Sequence, residues 1–128
     1  MIGPRAHKLT PAQEKHAYNL ATERDQGRCV RCGARGDVER DHRQNRTAFN
    51  TVVANLQCLG GPFNCGCHLW KTENPSAAIL EGFAVPRWAH PELWPAWRHG
   101  VGWVIYDDAG GWQPINESTA DLLMKGET

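Results

Sequence analysis

The sequence lacks long apolar runs. No stretch of its 128 residues approaches the roughly 18 apolar residues that a membrane-spanning helix needs. It also lacks a net charge, with 14 Lys and Arg against 14 Asp and Glu, and it shows no internal repeat or low-complexity segment. Hydrophobic residues make up 41% of the chain and charged residues 22%, which argues against a disordered chain. We therefore expect one compact domain, 1–128, that does not bind a membrane.

The first ten residues contain two basic side chains but no apolar run behind them, so no secretory signal is predicted. This favours a cytoplasmic protein in a thiol-reducing setting, where disulfides are disfavoured. The chain has five cysteines, an odd number. We therefore expect most of them to bind metal, with one thiol left over.

The neutral total conceals two halves of opposite charge. Residues 1–72 contain 11 Lys and Arg against 6 Asp and Glu, a balance of +5, whereas residues 73–128 have a balance of −5. All five cysteines lie in the basic half. Affinity for phosphate depends on local clusters of cations, so this half is the candidate for contact with nucleic acid. A solvated basic face is the alternative that charge alone leaves open.

The first predicted element is a helix over residues 11–25. Thr10 is a suitable N-cap, and Gln13 three residues later completes a capping box. The helix carries only a modest apolar stripe, so Lys15 and Arg24 are expected to face water or a polyanion.

Further elements follow from alternation, caps and glycines. The expected elements are a strand at 37–42, a polar connection at 43–54, a strand at 55–59, a helix from Cys67, a helix at 75–81 and a hairpin whose strand 101–107 turns at 108–111.

Three tryptophans alternate with three prolines in the acidic C-terminal region, at Trp88, Trp94 and Trp97 and at Pro86, Pro91 and Pro95. We predict that this segment packs against the domain. Stacking on nucleic-acid bases is an alternative, but the local acidity disfavours approach by phosphate. A docking surface for a protein partner is a second alternative.

Four thiols in two separated pairs are the usual ligands of a tetrahedral structural zinc site, and Cys29-x-x-Cys32 is a good first pair. The second pair is less regular, because eight residues separate Cys58 from Cys67 and Cys65 is an additional candidate. A redox function of the Cys-x-x-Cys pair would need a thioredoxin-like βαβ context, which the sequence does not show.

Asp41, His42 and His68 are oxygen and nitrogen donors that a zinc framework would hold together. His42 ends a predicted strand, and His68 follows Cys67 at the start of a predicted helix. A divalent ion on a carboxylate and an imidazole can stabilise a scissile phosphate, while a second imidazole takes a proton from water. This combination predicts phosphodiester hydrolysis.

The combined spacing resembles the HNH endonuclease family in its zinc-bearing form with a ββα-metal core. The matching runs are Cys29-Val-Arg-Cys32, Val38-Glu-Arg-Asp41-His42, Asn55-Leu56-Gln57-Cys58 and Cys67-His68-Leu-Trp-Lys71-Thr72. Small stand-alone members of the family look similar to proteins of actinobacterial phages and their hosts. The match spans about residues 24–73 and implies an α+β, treble-clef-like core at 27–73. The residue patterns outside it predict a helix within 1–26 and a packing extension at 74–128 that ends in a hairpin.

The resemblance also implies roles for individual residues. His42 would be the general base, Asp41 and His68 would hold a catalytic Mg²⁺, Mn²⁺ or similar ion, and Asn55 would brace the loop that orients His42. The implied ligands of a structural zinc are Cys29, Cys32, Cys58 and Cys67, with Cys65 as the spare thiol or as an alternative to Cys67. Candidate phosphate contacts flank the site at Arg40, Arg43, Arg46 and Lys71.

The expected function is metal-dependent DNA cleavage with low sequence specificity, because no dedicated base-reading module is visible. RNA as the substrate stays open, since phosphodiester hydrolysis does not select the sugar. A non-catalytic zinc module that binds nucleic acid or protein is one alternative. A nuclease that acts only within a larger phage packaging or defence assembly, in the cytoplasm of a bacterium or infected host cell, is another.

Overall fold

The computed structural model describes residues 7–126, which form an α+β fold of four helices and two small sheets. The helices are α1 (Pro11–Asp25), α2 (Cys67–Glu73), α3 (Pro75–Leu80) and α4 (Glu117–Met124). The strands are β1 (Val38–His42), β2 (Leu56–Gly60), β3 (Ala96–Arg98), β4 (Gly102–Tyr106) and β5 (Trp112–Pro114). Across these residues, no helix is long and apolar enough to cross a membrane.

The first sheet is an antiparallel pair, β1 and β2, in which Val38 faces Gly60 and His42 faces Leu56. Both strands confirm the predicted pair to within a residue or two. All five residues of β2 are buried, whereas in β1 only Asp41 is buried and the other four residues are partly or fully exposed. The strand β2 is therefore the centre of the core, and β1 carries side chains to the surface.

Helix α1 confirms the predicted N-terminus. Thr10 Oγ1 accepts the N–H of Gln13 at 3.1 Å, and Gln13 Oε1 accepts the N–H of Thr10 at 2.8 Å. The helix packs Ala17 and Ala21 against Leu56 of β2. The expectation that Arg24 faces solvent is wrong, because its buried guanidinium pairs with Asp25 and donates to the carbonyl oxygens of Val53 and Leu56.

The second sheet has the order β3-β4-β5, all antiparallel. The hairpin of β4 and β5 confirms the predicted turn around residues 108–111, whereas β3 and α4 were not predicted. This sheet packs through Ala96, Val104 and Tyr106 against Ala54, which precedes β2. The C-terminal region is therefore built onto the back of the first sheet.

Candidate metal centre and polar cleft

Four cysteine Sγ atoms lie within 4.8 Å of one another, at Cys29, Cys32, Cys65 and Cys67. A metal held tetrahedrally at the Zn–S distance of about 2.3 Å separates its thiolates by about 3.8 Å. The group can therefore hold an ion such as zinc. Cys29 and Cys67 are buried, and Cys32 and Cys65 are exposed.

The first pair lies on a tight turn between α1 and β1. The N–H of Gly33 donates to the carbonyl of Cys29 at 2.8 Å, and the N–H of Cys29 donates to that of Ala34 at 2.9 Å. Gly33 has a φ of +81°, which favours glycine. The turn therefore presents both thiols on one side, as a zinc knuckle does.

The second pair is Cys65 and Cys67, separated by Gly66, at the start of α2. Gly66 has a φ of +71°, and its N–H donates to the carbonyl of Gly61 at 3.1 Å. A Cβ at Gly60 would collide with Sγ of Cys65. The loop after β2 therefore folds back over a glycine to bring Cys65 to the first pair.

The expected zinc ligand set needs one correction, since Cys65 takes the place given to Cys58. Cys58 is buried in the middle of β2, where its N–H donates to Asp25 and its Sγ lies 4.0 Å from the carbonyl oxygen of Ala21. Burial raises the pKa of Cys58 to about 12, so it stays a neutral thiol. The short Cys65-Gly66-Cys67 spacing was the sequence signal for this pair.

The four thiols share their protons unequally, because burial raises the pKa of Cys67 to about 12 and also raises that of Cys32, whereas the pKa of Cys65 is lowered. Burial alone would raise the pKa of Cys65, but hydrogen bonds to its sulfur from Cys67, Cys32 and Cys29 lower it to about 7. Arg31 stacks over Trp70 with its guanidinium carbon 3.6 Å from the ring centroid, and its Nη1 lies 3.5 Å from Sγ of Cys67. A cation at this distance stabilises a thiolate cluster.

A second group of donors lies at the end of β1. The Asp41 carboxylate lies 3.2 Å from Nε2 of His68 through Oδ1 and 2.9 Å from Nζ of Lys71 through Oδ2. Its Oδ2 also accepts from the amide of Gln57 at 2.9 Å. Burial alone would raise the pKa of Asp41, but these three partners outweigh it and lower the pKa, so the carboxyl is ionised.

His68, on the first turn of α2, lies between two carboxylates. Its Nδ1 is 2.9 Å from Oε1 of Glu39, while Nε2 contacts Asp41. The hydrogen bond with Asp41 raises the pKa of His68 to about 9, with a further contribution from Glu39 and against the effect of burial. Glu39 was not predicted, although a residue two before Asp41 in a strand lies on the same face.

His42 lies beside this group and is half-buried. Its Nε2 lies 2.9 Å from Oγ1 of Thr51, its ring meets that of Tyr18 edge-on at 6.1 Å, and its carbonyl accepts from Lys71 at 2.9 Å. Burial lowers the pKa of His42, with Arg46 and Lys71 acting in the same direction and Asp41 opposing them. The ring is therefore neutral at physiological pH, as a proton acceptor must be.

Asn55 is fully buried and holds the loop that follows His42. Its Oδ1 accepts the N–H of Gln44 at 2.8 Å, and its Nδ2 donates to the carbonyls of Gln44 and Asn50 at 3.1 and 3.0 Å. The loop between β1 and β2 is thus closed by one side chain. This is the contact that the predicted bracing role requires.

These groups line an open cleft of about 810 Å³ between the β1 end, α2, α3 and residues 84–87. Its cationic wall includes Arg40, Arg46, Lys71 and Arg87. Arg46 is 55% exposed and pairs with Glu14 at 3.1 Å, and Arg40 lies over the Tyr18 ring at 4.9 Å. Lys71, by contrast, is held by Asp41 and by the carbonyl of His42.

The prediction of a phosphate contact at Arg43 is wrong. Arg43 borders the cleft, but only 1% of the residue is exposed. The guanidinium donates to four backbone carbonyls, those of Ala54, Pro91, Trp94 and Pro95. Burial lowers the pKa of Arg43 to about 10, yet it stays charged and ties the first sheet to the C-terminal region.

Comparison with known proteins adds no relative: no family model, no curated protein and no solved structure matches this chain.

Proposed function

We propose that this chain is an HNH-type endonuclease that hydrolyses DNA phosphodiester bonds with the help of a divalent ion. One observation carries the proposal. Oδ1 of Asp41 and Nε2 of His68 converge to 3.2 Å in a cationic cleft, with the neutral imidazole of His42 on the residue next to Asp41. A carboxylate and an imidazole for a metal, with a separate imidazole as base, are what hydrolysis of a phosphodiester needs.

The four-cysteine centre would be the structural zinc site of this enzyme. Cys29, Cys32, Cys65 and Cys67 satisfy the ligand type, number and approximate separation that zinc requires. The site joins the turn before β1 to the start of α2. Zinc there would fix His68 relative to Asp41, because His68 follows the ligand Cys67 directly.

Asp41 and His68 would hold the catalytic Mg²⁺, Mn²⁺ or similar ion, which would replace the proton that the contact with Asp41 keeps on the His68 ring at neutral pH. Two ligands of one such ion lie about 3.0 Å apart, close to the separation of their donor atoms. The bound ion would neutralise charge on the scissile phosphate and stabilise the leaving oxygen. Glu39 accepts from Nδ1 of His68 and so keeps Nε2 directed at the site.

His42 would act as the general base. In the tautomer in which Nε2 donates to Thr51 Oγ1, Nδ1 carries the lone pair that would accept a proton from the attacking water. Lys71 holds the carbonyl of the same residue, and Asn55 closes the loop behind it. The base is thereby oriented by contacts to its backbone as well as to its ring.

Arg40 and Arg46 on the cleft wall would contact phosphates. Contacts of this kind supply affinity that depends on salt and hardly on sequence. We therefore expect cleavage of many DNA sequences.

The test is plasmid nicking by purified protein after chelation, with Mg²⁺, Mn²⁺ or Ni²⁺ restored in turn. We expect cleavage that depends on the metal and that falls roughly 10²–10⁴-fold in His42→Ala. His16→Ala, which removes an exposed imidazole from α1, is the matched control and should cleave normally.

Absence of cleavage with every ion, from protein that retains zinc and binds DNA, would contradict the proposal. One contact favours the alternative, a non-catalytic zinc module: Nζ of Lys71 already pairs with the Asp41 carboxylate. Cleavage of RNA but not DNA in the same assay would keep the reaction and change the substrate.

A further inference from the structure

Two neighbouring tryptophans of the C-terminal region have opposite environments. Trp94 is 4% exposed and belongs to the packed interior, whereas Trp88 is 68% exposed. Their rings meet edge-on at 5.4 Å with an interplanar angle of 87°. Trp94 thus supports one side of the Trp88 ring, and most of the surface of Trp88 is open to solvent.

Arg87 and Trp88 are the two central residues of a tight turn that runs from Pro86 to Ala89. The N–H of Ala89 donates to the carbonyl of Pro86 at 3.0 Å, which closes the turn and leaves Arg87 and Trp88 exposed at its tip. Arg87 lines the same cleft as Asp41 and His68. Trp88 follows Arg87 in the same turn and does not itself line the cleft, so its exposed ring lies outside the lining, one residue from a cation that belongs to it.

A single side chain fastens this turn to the catalytic loop. Nε2 of Gln44 lies 3.0, 3.5 and 2.7 Å from the carbonyl oxygens of Pro86, Arg87 and Ala89. The backbone N–H and carbonyl of Gln44 are themselves bonded to Asn55. Gln44 therefore positions the turn, and the buried side-chain amide of Asn55 holds the backbone of Gln44 in the loop after His42.

We propose that the Pro86–Ala89 turn binds an unpaired nucleotide of a DNA strand that enters the cleft. The ring of Trp88 would stack on the base, and Arg87 would contact the adjoining phosphate. The preference for unpaired DNA follows because bases in a duplex cover one another, whereas a single strand offers its π-faces. The Pro86–Ala89 turn itself carries no acidic residue. This inference rests on the proposed function, since it takes the cleft to hold a nucleic acid.

The test measures binding in place of cleavage, using His42→Ala protein as the background. The probes are a fluorescein-labelled single-stranded DNA oligonucleotide and the blunt duplex of the same sequence, titrated over a series of salt concentrations. Trp88→Ala should weaken single-strand binding on the order of tenfold without changing its salt slope. Its effect on the duplex should be small.

Arg87→Gln should weaken binding of the single strand and reduce its salt slope by about 0.7. The matched controls are Phe63→Ala, which removes an aromatic ring that is 93% exposed, and Arg35→Gln, which removes an exposed arginine. Neither lines the cleft. Zinc content and thermal melting of each variant verify the fold.

Equal single-strand affinity in Trp88→Ala and Phe63→Ala would overturn the inference, and so would an equal loss on duplex and single strand. Plasmid cleavage with no effect of Trp88→Ala on binding would contradict this inference alone. Strong single-strand binding that depends on Trp88, without cleavage by the wild-type protein, would contradict the nuclease proposal alone.

Discussion

The first two residues of α2 serve two different centres. Cys67 contributes its thiol to the four-cysteine group, and His68 contributes its imidazole to the group around Asp41. The thiol centre joins a turn before β1 to a loop after β2, neither of which belongs to a sheet. The Asp41 group instead lies at the end of the hydrogen-bonded β1 strand.

This difference separates folding from chemistry. The soft thiol ligands join two irregular segments that have no sheet hydrogen bonds of their own. Cys29 and Cys67 are buried in a core cluster with Leu59, so a bound metal and apolar packing would stabilise this region together. Asp41 and His42 instead lie on β1, which is hydrogen-bonded to the buried strand β2, and His68 meets Asp41 from α2. A metal lost from the first centre should therefore unfold the protein, whereas loss of the ion proposed for the second should stop the proposed cleavage and leave the fold intact.

The largest expected effect is at the thiol centre. Cys32→Ser should lose zinc and unfold, because binding free energy in such a site is folding free energy, on the order of 10 kcal/mol. Metal content measured by atomic emission and secondary structure measured by circular dichroism check this. The same measurements on Cys58→Ser test whether zinc binds at the four-cysteine group and whether Cys58 is one of its ligands.

Cys58→Ser is the matched control, since it changes the same atom in a buried cysteine outside the group. It should keep one zinc per chain and lose about 1–3 kcal/mol of stability, because a hydroxyl replaces a buried sulfur. Zinc loss in Cys58→Ser with retention in Cys65→Ser would restore the ligand set that the sequence alone implied.

The second-largest expected effect is a loss of cleavage on substitution in the group around Asp41. His68→Ala should keep its zinc and its melting behaviour but lose roughly 10²-fold or more of its metal-dependent cleavage, since one ligand of the catalytic ion is gone. Leu69→Ala, one residue further along α2 and 59% exposed, should leave both unchanged. Loss of zinc in His68→Ala would show that the two centres are not separable.

The sequence predicted elements that have local signals. The capping box of Thr10 and Gln13, the alternation of β1 and the glycine after α3 each depend on residues close in the chain, and the structure has all three elements. The group around Asp41 was also predictable in part, because Asp41 lies near the end of a recognisable strand and His68 lies at the start of a recognisable helix.

Contacts between distant segments had no such signal. Cys58 and Cys65 both precede Cys67 in the sequence. Only the fold-back of the loop over Gly60 decides which of them joins Cys67 as a ligand. Whether a given arginine is buried depends on which carbonyls are left unpaired elsewhere. The carbonyls that bind Arg43 belong to residues 54, 91, 94 and 95, which no local sequence pattern connects to it.

The smallest expected effect compares two arginines that sequence reasoning placed in one class. Arg43→Met should lower the free energy of unfolding by about 2–3 kcal/mol, because buried carbonyls lose their donor while removal of a buried charge recovers part of the cost. Arg46→Met should change it by less than about 0.5 kcal/mol, since its pair with Glu14 is exposed. Urea unfolding measures both.

DNA binding should rank the same two variants in the opposite order. Arg46→Met removes a charge from the cleft wall, so the slope of log affinity against log salt should fall by about 0.9 on duplex DNA. Arg43→Met, measured below the onset of its unfolding, should keep the wild-type slope, because its guanidinium is occupied by carbonyls. A reduced slope in Arg43→Met with unchanged stability would return Arg43 to the phosphate contacts and contradict the structural role assigned to it.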